Sequence, residues 1–198
     1  MKLNYTLVYN NNIEKIISVP TSWSDLTLGQ VLQLFELDFT VKKIRMKVLC
    51  ILTGLSLADI SELAGEQNIN KLNAIESTIN FINETPNFKE FILPKSIILK
   101  GKEILIPLDL TKETYGQKVA AEELIRLSWV NQNGDIDILP LMPEILAIYL
   151  YPLFANETFK DERVDTFIPL MKELSIKDAY PIASFFLIKR GIFYKMNL

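Results

Sequence analysis

Apolar and polar residues alternate at the start of the chain. Leu3, Tyr5, Leu7 and Tyr9 fall on one face, Asn10-Asn11-Asn12 interrupts, and residues 13–19 resume with β-branched character. Side chains of a strand alternate between faces, and Asn tolerates the left-handed backbone of a tight turn, so residues 3–19 are predicted to form a β-hairpin ended by Pro20. The spacing then becomes helical. Leu28, Val31, Leu32, Phe35 and Phe39 recur at three- and four-residue intervals, as do Ile44, Val48, Ile51 and Leu52. Gly54 is placed to cap the second of these helices, read over 41–52, in the left-handed conformation that favours glycine. Ser56 opens a short third helix, with Asp59 three residues on. Residues 70–83 make a fourth with Leu72, Ile75, Ile79 and Ile82 apolar.

Pro86 and Pro94 bracket a change of pattern. Two apolar runs on either side of Lys100-Gly101-Lys102 predict a second hairpin, over 96–107. Thr114-Tyr115-Gly116-Gln117 repeats the Thr27-Leu28-Gly29-Gln30 pattern. Both fit a capping box, in which Thr accepts from the Gln amide and Gln reaches back to the Thr amide. The second opens a helix through Val130, and Asn133-Gly134-Asp135 forms a loop after it. Further helices fit 144–151 with Pro143 in the first turn, 163–174, and 177–189 capped by Ser175. Trp23 and Trp129 read as packing anchors. The fold class is α+β, mostly α-helical: two hairpins and roughly seven helices. Residues 1–198 read as a single domain, with 84–95 the one candidate for a weak boundary.

Composition narrows the chemistry more than the pattern does. The chain has no histidine and one cysteine, Cys50. Nucleophilic triads and most zinc sites need imidazole or several thiolates, so those classes are closed and no metal or cofactor is expected. Cys50, between Leu49 and Ile51, reads as a small buried hydrophobe. Neither a phosphate-cradling G-x-x-x-x-G-K-[ST] loop nor G-x-G-x-x-G occurs. A formal net charge of −3, with 21 scattered Lys and Arg, argues against direct binding of nucleic acid. No secretory signal pattern is visible at Met1-Lys2-Leu3-Asn4-Tyr5. The longest apolar stretch, 145–155, contains Pro152 and is half the roughly 20 residues a membrane-spanning helix needs. Carboxylate-only hydrolysis is the enzymatic alternative, with Asp135, Asp137 and Glu144 as its local candidates. Asp135 belongs to a turn and Asp137 alternates with Ile136 and Ile138, so both read as structural. The chain is not expected to be an enzyme.

What stands out instead is apolar surface. Residues 142–154 are apolar nearly all round, including Tyr149, Tyr151 and Phe154. The carboxy-terminal stretch adds Phe185, Phe186, Ile192, Phe193 and Tyr194. A helix apolar on every side must be covered by its own domain or by a partner, so these eight residues are the candidate partner contacts.

The residues Pro20-Thr21-Ser22-Trp23-Ser24-Asp25-Leu26-Thr27-Leu28-Gly29-Gln30, Ile51-Leu52-Thr53-Gly54-Leu55-Ser56, Leu99-Lys100-Gly101-Lys102 and Thr114-Tyr115-Gly116-Gln117 form an ordered series. With Met142-Pro143-Glu144-Ile145-Leu146-Ala147-Ile148-Tyr149-Leu150-Tyr151-Pro152, it resembles a family of uncharacterised proteins from the structural gene blocks of tailed phages infecting gut Bacteroidetes, including crAss-like phages. The likeness covers about residues 20–186 and brings no catalytic residue with it. It implies a virion-associated component carried with the capsid, portal or tail. Its partners would be other phage structural proteins and copies of itself, in the virion or in the host cytoplasm during assembly. A tail-assembly chaperone absent from the finished particle is the alternative within the family. A small regulator of a host protein is the alternative outside it.

Overall fold

The computed structural model describes residues 1–9, 13–40, 42–63, 65–131 and 137–190, with 129–131 described by backbone alone. It has the expected α+β, mostly helical architecture, with eight α-helices and two separate two-stranded antiparallel sheets among the described residues. The chain divides into two compact units, Met1–Leu26 with Gln30–Pro86, and Thr27–Gly29 with Asn87–Leu198. The break at Pro86 falls inside the stretch read as the candidate boundary.

The first unit begins with strands β1 (Lys2–Val8) and β2 (Glu14–Pro20), paired so that Leu3 faces Val19, Tyr5 faces Ile17 and Leu7 faces Lys15. The Asn turn of the hairpin lies outside the described residues. Leu7, Ile17 and Val19 are buried on one face of the sheet, against which α2 (Ile44–Thr53) and α4 (Glu66–Thr78) pack. Helix α1 (Leu28–Phe35) stops four residues short of Phe39, which is exposed. Gly54 ends α2 as expected, with φ of 72° and its N–H on the Cys50 carbonyl at 2.9 Å. Helix α3 (Leu57–Ser61) carries a complete Ser56–Asp59 capping box. Helix α4 begins four residues earlier than its apolar spacing predicts. Its buried Asn68 explains the extension: Oδ1 accepts from the Val8 N–H at 3.2 Å and Nδ2 donates to the Val8 carbonyl, so one side-chain amide serves as the missing neighbour at the edge of β1. A 3₁₀ turn, Ile79–Asn83, follows. Trp23 anchors this unit as expected, edge-on to Phe81 at 5.8 Å, with its indole N–H on the Glu84 carbonyl at 3.2 Å. Trp129 lies outside the described side chains.

The second unit contains β3 (Ser96–Leu99) and β4 (Lys102–Leu105), joined by Lys100 and Gly101 at φ of 48° and 79°. Two successive positive φ values are the geometry that fits the right-handed twist of a hairpin. Helix α5 (Tyr115–Asn131) packs against α6 (Met142–Ala155), and α6 also meets α7 (Val164–Lys172) and α8 (Ile176–Lys189). Helix α6 is buried on almost every side, which answers its all-round apolar sequence. Ser175 precedes α8 as expected, but its side chain makes no cap hydrogen bond; its carbonyl accepts from Asp178 and Ala179 at 3.0 and 2.8 Å.

Pro143 sits in the first turn of α6, yet the helix runs through Pro152, past the predicted end at 151. Proline has no N–H, so the Ile148 carbonyl four residues back loses its helical donor. Gln117 supplies one. Its Nε2 donates to the Ile148 carbonyl at 3.0 Å in a buried position, while its Oε1 accepts from Thr114 N at 3.0 Å and its own N–H reaches Thr114 Oγ1 at 3.3 Å. The capping box of α5 therefore also repairs α6. Gln30 acts in parallel in the first unit, its Nε2 donating to the Ile51 carbonyl in the last turn of α2 at 2.9 Å. The intervening glycines fit the same logic. A Cβ on Gly116 would meet the Phe159 ring at 2.9 Å, and one on Gly29 would meet the Lys172 carbonyl oxygen at 3.1 Å.

Replacing Gln117→Leu should cost about 2–3 kcal/mol in urea unfolding, because it removes a cap and leaves the buried Ile148 carbonyl unpaired. Pro152→Ala restores an N–H to that carbonyl, so its effect should be more favourable in the Gln117→Leu background than in wild type, by about 1 kcal/mol. Strict additivity would dissociate the two residues. A pH prediction follows from Asp59: hydrogen bonds from the Ser56 hydroxyl and amide, with Lys15 beside it, hold the carboxyl down at about 2. A lowered folded-state pKa stabilises above the unfolded value, near 4, and that stabilisation is lost as pH falls through the folded value. Asp59→Asn should thus lower the melting temperature at pH 7, and the gap from wild type should close between about pH 4 and pH 2.

Candidate functional site

The eight residues expected to meet partners are placed unequally. Tyr149, Tyr151 and Phe186 are buried inside the second unit and offer no surface, which corrects their assignment as contacts. Tyr149 stacks on Phe186 with centroids 4.1 Å apart, and Tyr151 stacks on Phe167 at 4.9 Å while its hydroxyl donates to the Lys160 carbonyl at 2.9 Å. Phe154 and Phe185 are half-buried, each with a lysine ammonium 5.7 Å from its ring, Lys102 and Lys189 respectively. Ile192, Phe193 and Tyr194 lie outside the described residues.

Among its described residues the second unit holds a largely buried charged cluster. Glu113, in the loop before α5, and Arg190, at the end of α8, form an ion pair with side chains only 9% and 10% exposed. The Tyr149 hydroxyl donates to Glu113 Oε1 at 2.6 Å and accepts from Arg190 Nε at 3.0 Å; Glu122 stands 3.6 Å from the guanidinium. Burial, then the negative charge of Glu122, pushes the Tyr149 hydroxyl far above its ordinary range, and burial lowers Arg190. Glu113 and Tyr149 line a cleft of about 540 Å³ whose walls include Leu110, Leu153 and Phe159. The groups of this cluster are directed at one another: Arg190 sits against the carboxylate, and burial disfavours the tyrosinate form of Tyr149. A largely buried ion pair of this kind ties two distant segments together.

The other sequence candidates separate. Asp135 lies outside the described residues. Asp137 is exposed, and its Oδ1 accepts from the Leu139 N–H at 3.1 Å, a turn-forming role. Burial raises Glu144, with Asp165 and Asp161 adding to the effect. Cys50 is half-buried instead of fully enclosed, and burial, with the charge of Asp59, raises its thiol pKa away from reactivity. No group of three or more His, Cys, Asp or Glu suited to a metal occurs among the described residues, and no described helix is long and apolar enough to cross a membrane.

Two surface features were not singled out by the sequence pattern. In the second unit, the outer face of the β3–β4 hairpin carries Ile98 and Leu105, 76% and 72% exposed, with Ile92 and Leu108 exposed at 87% and 69%. In the first unit, Lys42, Lys43, Arg45 and Lys47 are all exposed at the start of α2, beside a groove of about 670 Å³. The basic residues are therefore less scattered than whole-chain charge suggests. The signal, four cations in six positions, was present in the sequence.

Glu113→Gln should cost about 3 kcal/mol in urea unfolding by stranding Arg190 in a buried position, whereas adding Arg190→Leu should recover part of that loss. If the single substitution leaves stability unchanged, the pair does not hold the loop to α8.

Comparison with protein-family models, curated proteins and solved structures gives no match, so a functional reading rests on the chain's own residues.

Proposed function

We propose that the chain is a non-enzymatic bacteriophage protein acting through protein–protein contacts, as a virion-associated component carried in several copies with the capsid, portal or tail. The observation that carries the contact role is the exposed aliphatic surface of residues 92–108. Ile92, Ile98, Leu105 and Leu108 are each more than two-thirds exposed. Single exposed hydrophobics are ordinary, but four large aliphatic side chains within 17 residues, two of them on one hairpin face, mark a surface suited to burial by another protein. The absence of histidine supports the non-enzymatic half of the reading, and so does the use of the buried Glu113–Tyr149–Arg190 group as a tie. The phage assignment is supported by the ordered series of motifs described above and by nothing else.

Mass spectrometry of purified particles should find the protein at several copies per virion. Presence in infected-cell lysate with absence from purified particles overturns the virion reading and favours an assembly chaperone. Ile98→Lys with Leu105→Lys should leave the fold intact, within about 0.5 kcal/mol, and reduce incorporation into particles. Full incorporation of that variant removes the hairpin face as the contact.

A further inference from the structure

The groove in the first unit has a composition that specifies its occupant. One wall comes from α2, with Ile44, Val48 and Leu49; the other comes from the end of α4 and the following 3₁₀ turn, with Ile79 and Ile82. Val48, Leu49 and Ile79 are 5% exposed or less, so the floor is aliphatic and fixed, while Phe39 stands 61% exposed at the lip. Polar side chains rim the far side, Asn73, Ser77, Asn80 and Asn83 with one carboxylate, Glu76, so the charge of the groove differs between its two sides.

The near rim carries Arg45, and three more cations neighbour it in sequence. Lys42, Lys43, Arg45 and Lys47 are all exposed, and none of the four enters a salt bridge among the described residues. Four of the seven basic residues in 1–86 thus crowd into six positions of a stretch whose overall balance is acidic. They also stand where cations are least favourable, around the first turn of a helix that has no acidic residue there. Lys43 adopts φ of 70°, a conformation L side chains rarely take. Lys47 has one acidic neighbour, the exposed Asp38, whose carboxyl is held down by hydrogen bonds from Thr40 and then by the Lys47 charge. The local rules still broken together beside an apolar groove, at Lys42, Lys43 and Arg45, are ones that a partner outside the chain would compensate.

We propose that this groove takes an acidic amphipathic helix of another protein. Its apolar side chains, at i, i+3, i+4 and i+7, fill the aliphatic floor, and its carboxylates lie over Lys42, Lys43, Arg45 and Lys47. The groove volume lies within the usual range for binding sites. A single-stranded nucleic acid fits less well. Stacking needs aromatic platforms, and Phe39 is the one aromatic residue lining this groove. This groove shares no residue with the 92–108 face, and its test uses purified chain alone, so its failure leaves the virion reading standing and the converse also holds.

The test is fluorescence anisotropy with the full chain and three labelled probes. The first is a peptide of about 18 residues with Leu on one helical face and Glu elsewhere, long enough to form a helix on binding. The second is its scramble without a helical face, and the third an oligothymidylate of similar charge. The amphipathic peptide should bind at least about tenfold tighter than the scramble and the oligonucleotide. Added salt should weaken it, and NMR amide shifts should concentrate at residues 44–49 and 73–83. Arg45→Glu with Lys47→Glu should weaken binding at least about tenfold, while the melting temperature holds or rises, because carboxylates suit the first turn of α2. Arg45→Gln with Lys47→Gln should fall between. No binding up to about 1 mM, equal binding of the scramble, indifference to charge reversal, or binding of the oligonucleotide alone would each overturn the proposal.

Discussion

The side-chain amide of Gln117 joins the start of α5 to the middle of α6. Pro152 leaves a carbonyl without a donor in the middle of a buried helix, and a buried unpaired carbonyl costs as much as several ordinary contacts gain. Gln117 meets that carbonyl from α5 while its other end completes the cap of its own helix. One residue thus fixes where α5 starts, how far α6 runs and how the two approach. Gly116 leaves room beside this start for the Phe159 ring, from the segment after α6, which a side chain there would have to displace. In the first unit Gln30 repeats the arrangement on α2, so the T-x-G-Q pattern has a structural meaning in both places: a helix start whose glutamine is tied to a neighbouring helix.

Other polar side chains have similar work. Asn68 stands in for a strand at the edge of β1, Asp59 closes a capping box, and Glu113 and Arg190 join a loop to the end of α8. The aromatic surplus of α6 and α8 is absorbed by stacking, Tyr149 on Phe186 and Tyr151 on Phe167. The described surface also carries the exposed aliphatic side chains at 92–108 and the cations around 42–47, beside further exposed hydrophobics such as Ile16, Ile69 and Tyr115. The first two features are the ones on which the proposed contact role rests.

Features set by neighbours in sequence were legible before any coordinates. Both hairpins, the Gly54 cap, the Ser56–Asp59 box and the Thr114–Gln117 box depend on residues within a few positions of one another, and each is found. Features set by distant partners were not. Pro152 reads as a stop because its remedy comes from a residue 35 positions earlier in the chain. Tyr149, Tyr151 and Phe186 read as spare apolar surface because their covering rings lie on other helices. Ser175 shows the limit of local rules, being a good capping residue that caps with its backbone alone. The cations at 42–47 were visible but diluted by an acidic whole-chain average, and only their gathering beside a groove gives them weight.

The claim that polar side chains in this chain hold the fold, leaving its surface for contacts, is tested most directly by exchange of the glutamine side-chain amides. In a folded, ¹⁵N-labelled sample, the Nε2 protons of Gln117 and Gln30 should exchange with solvent far more slowly than those of exposed glutamines, with Gln117 slowest because its acceptor is buried. Exchange of the Gln117 amide at the rate of a free side chain would contradict the tie to Ile148 and the role assigned to Pro152.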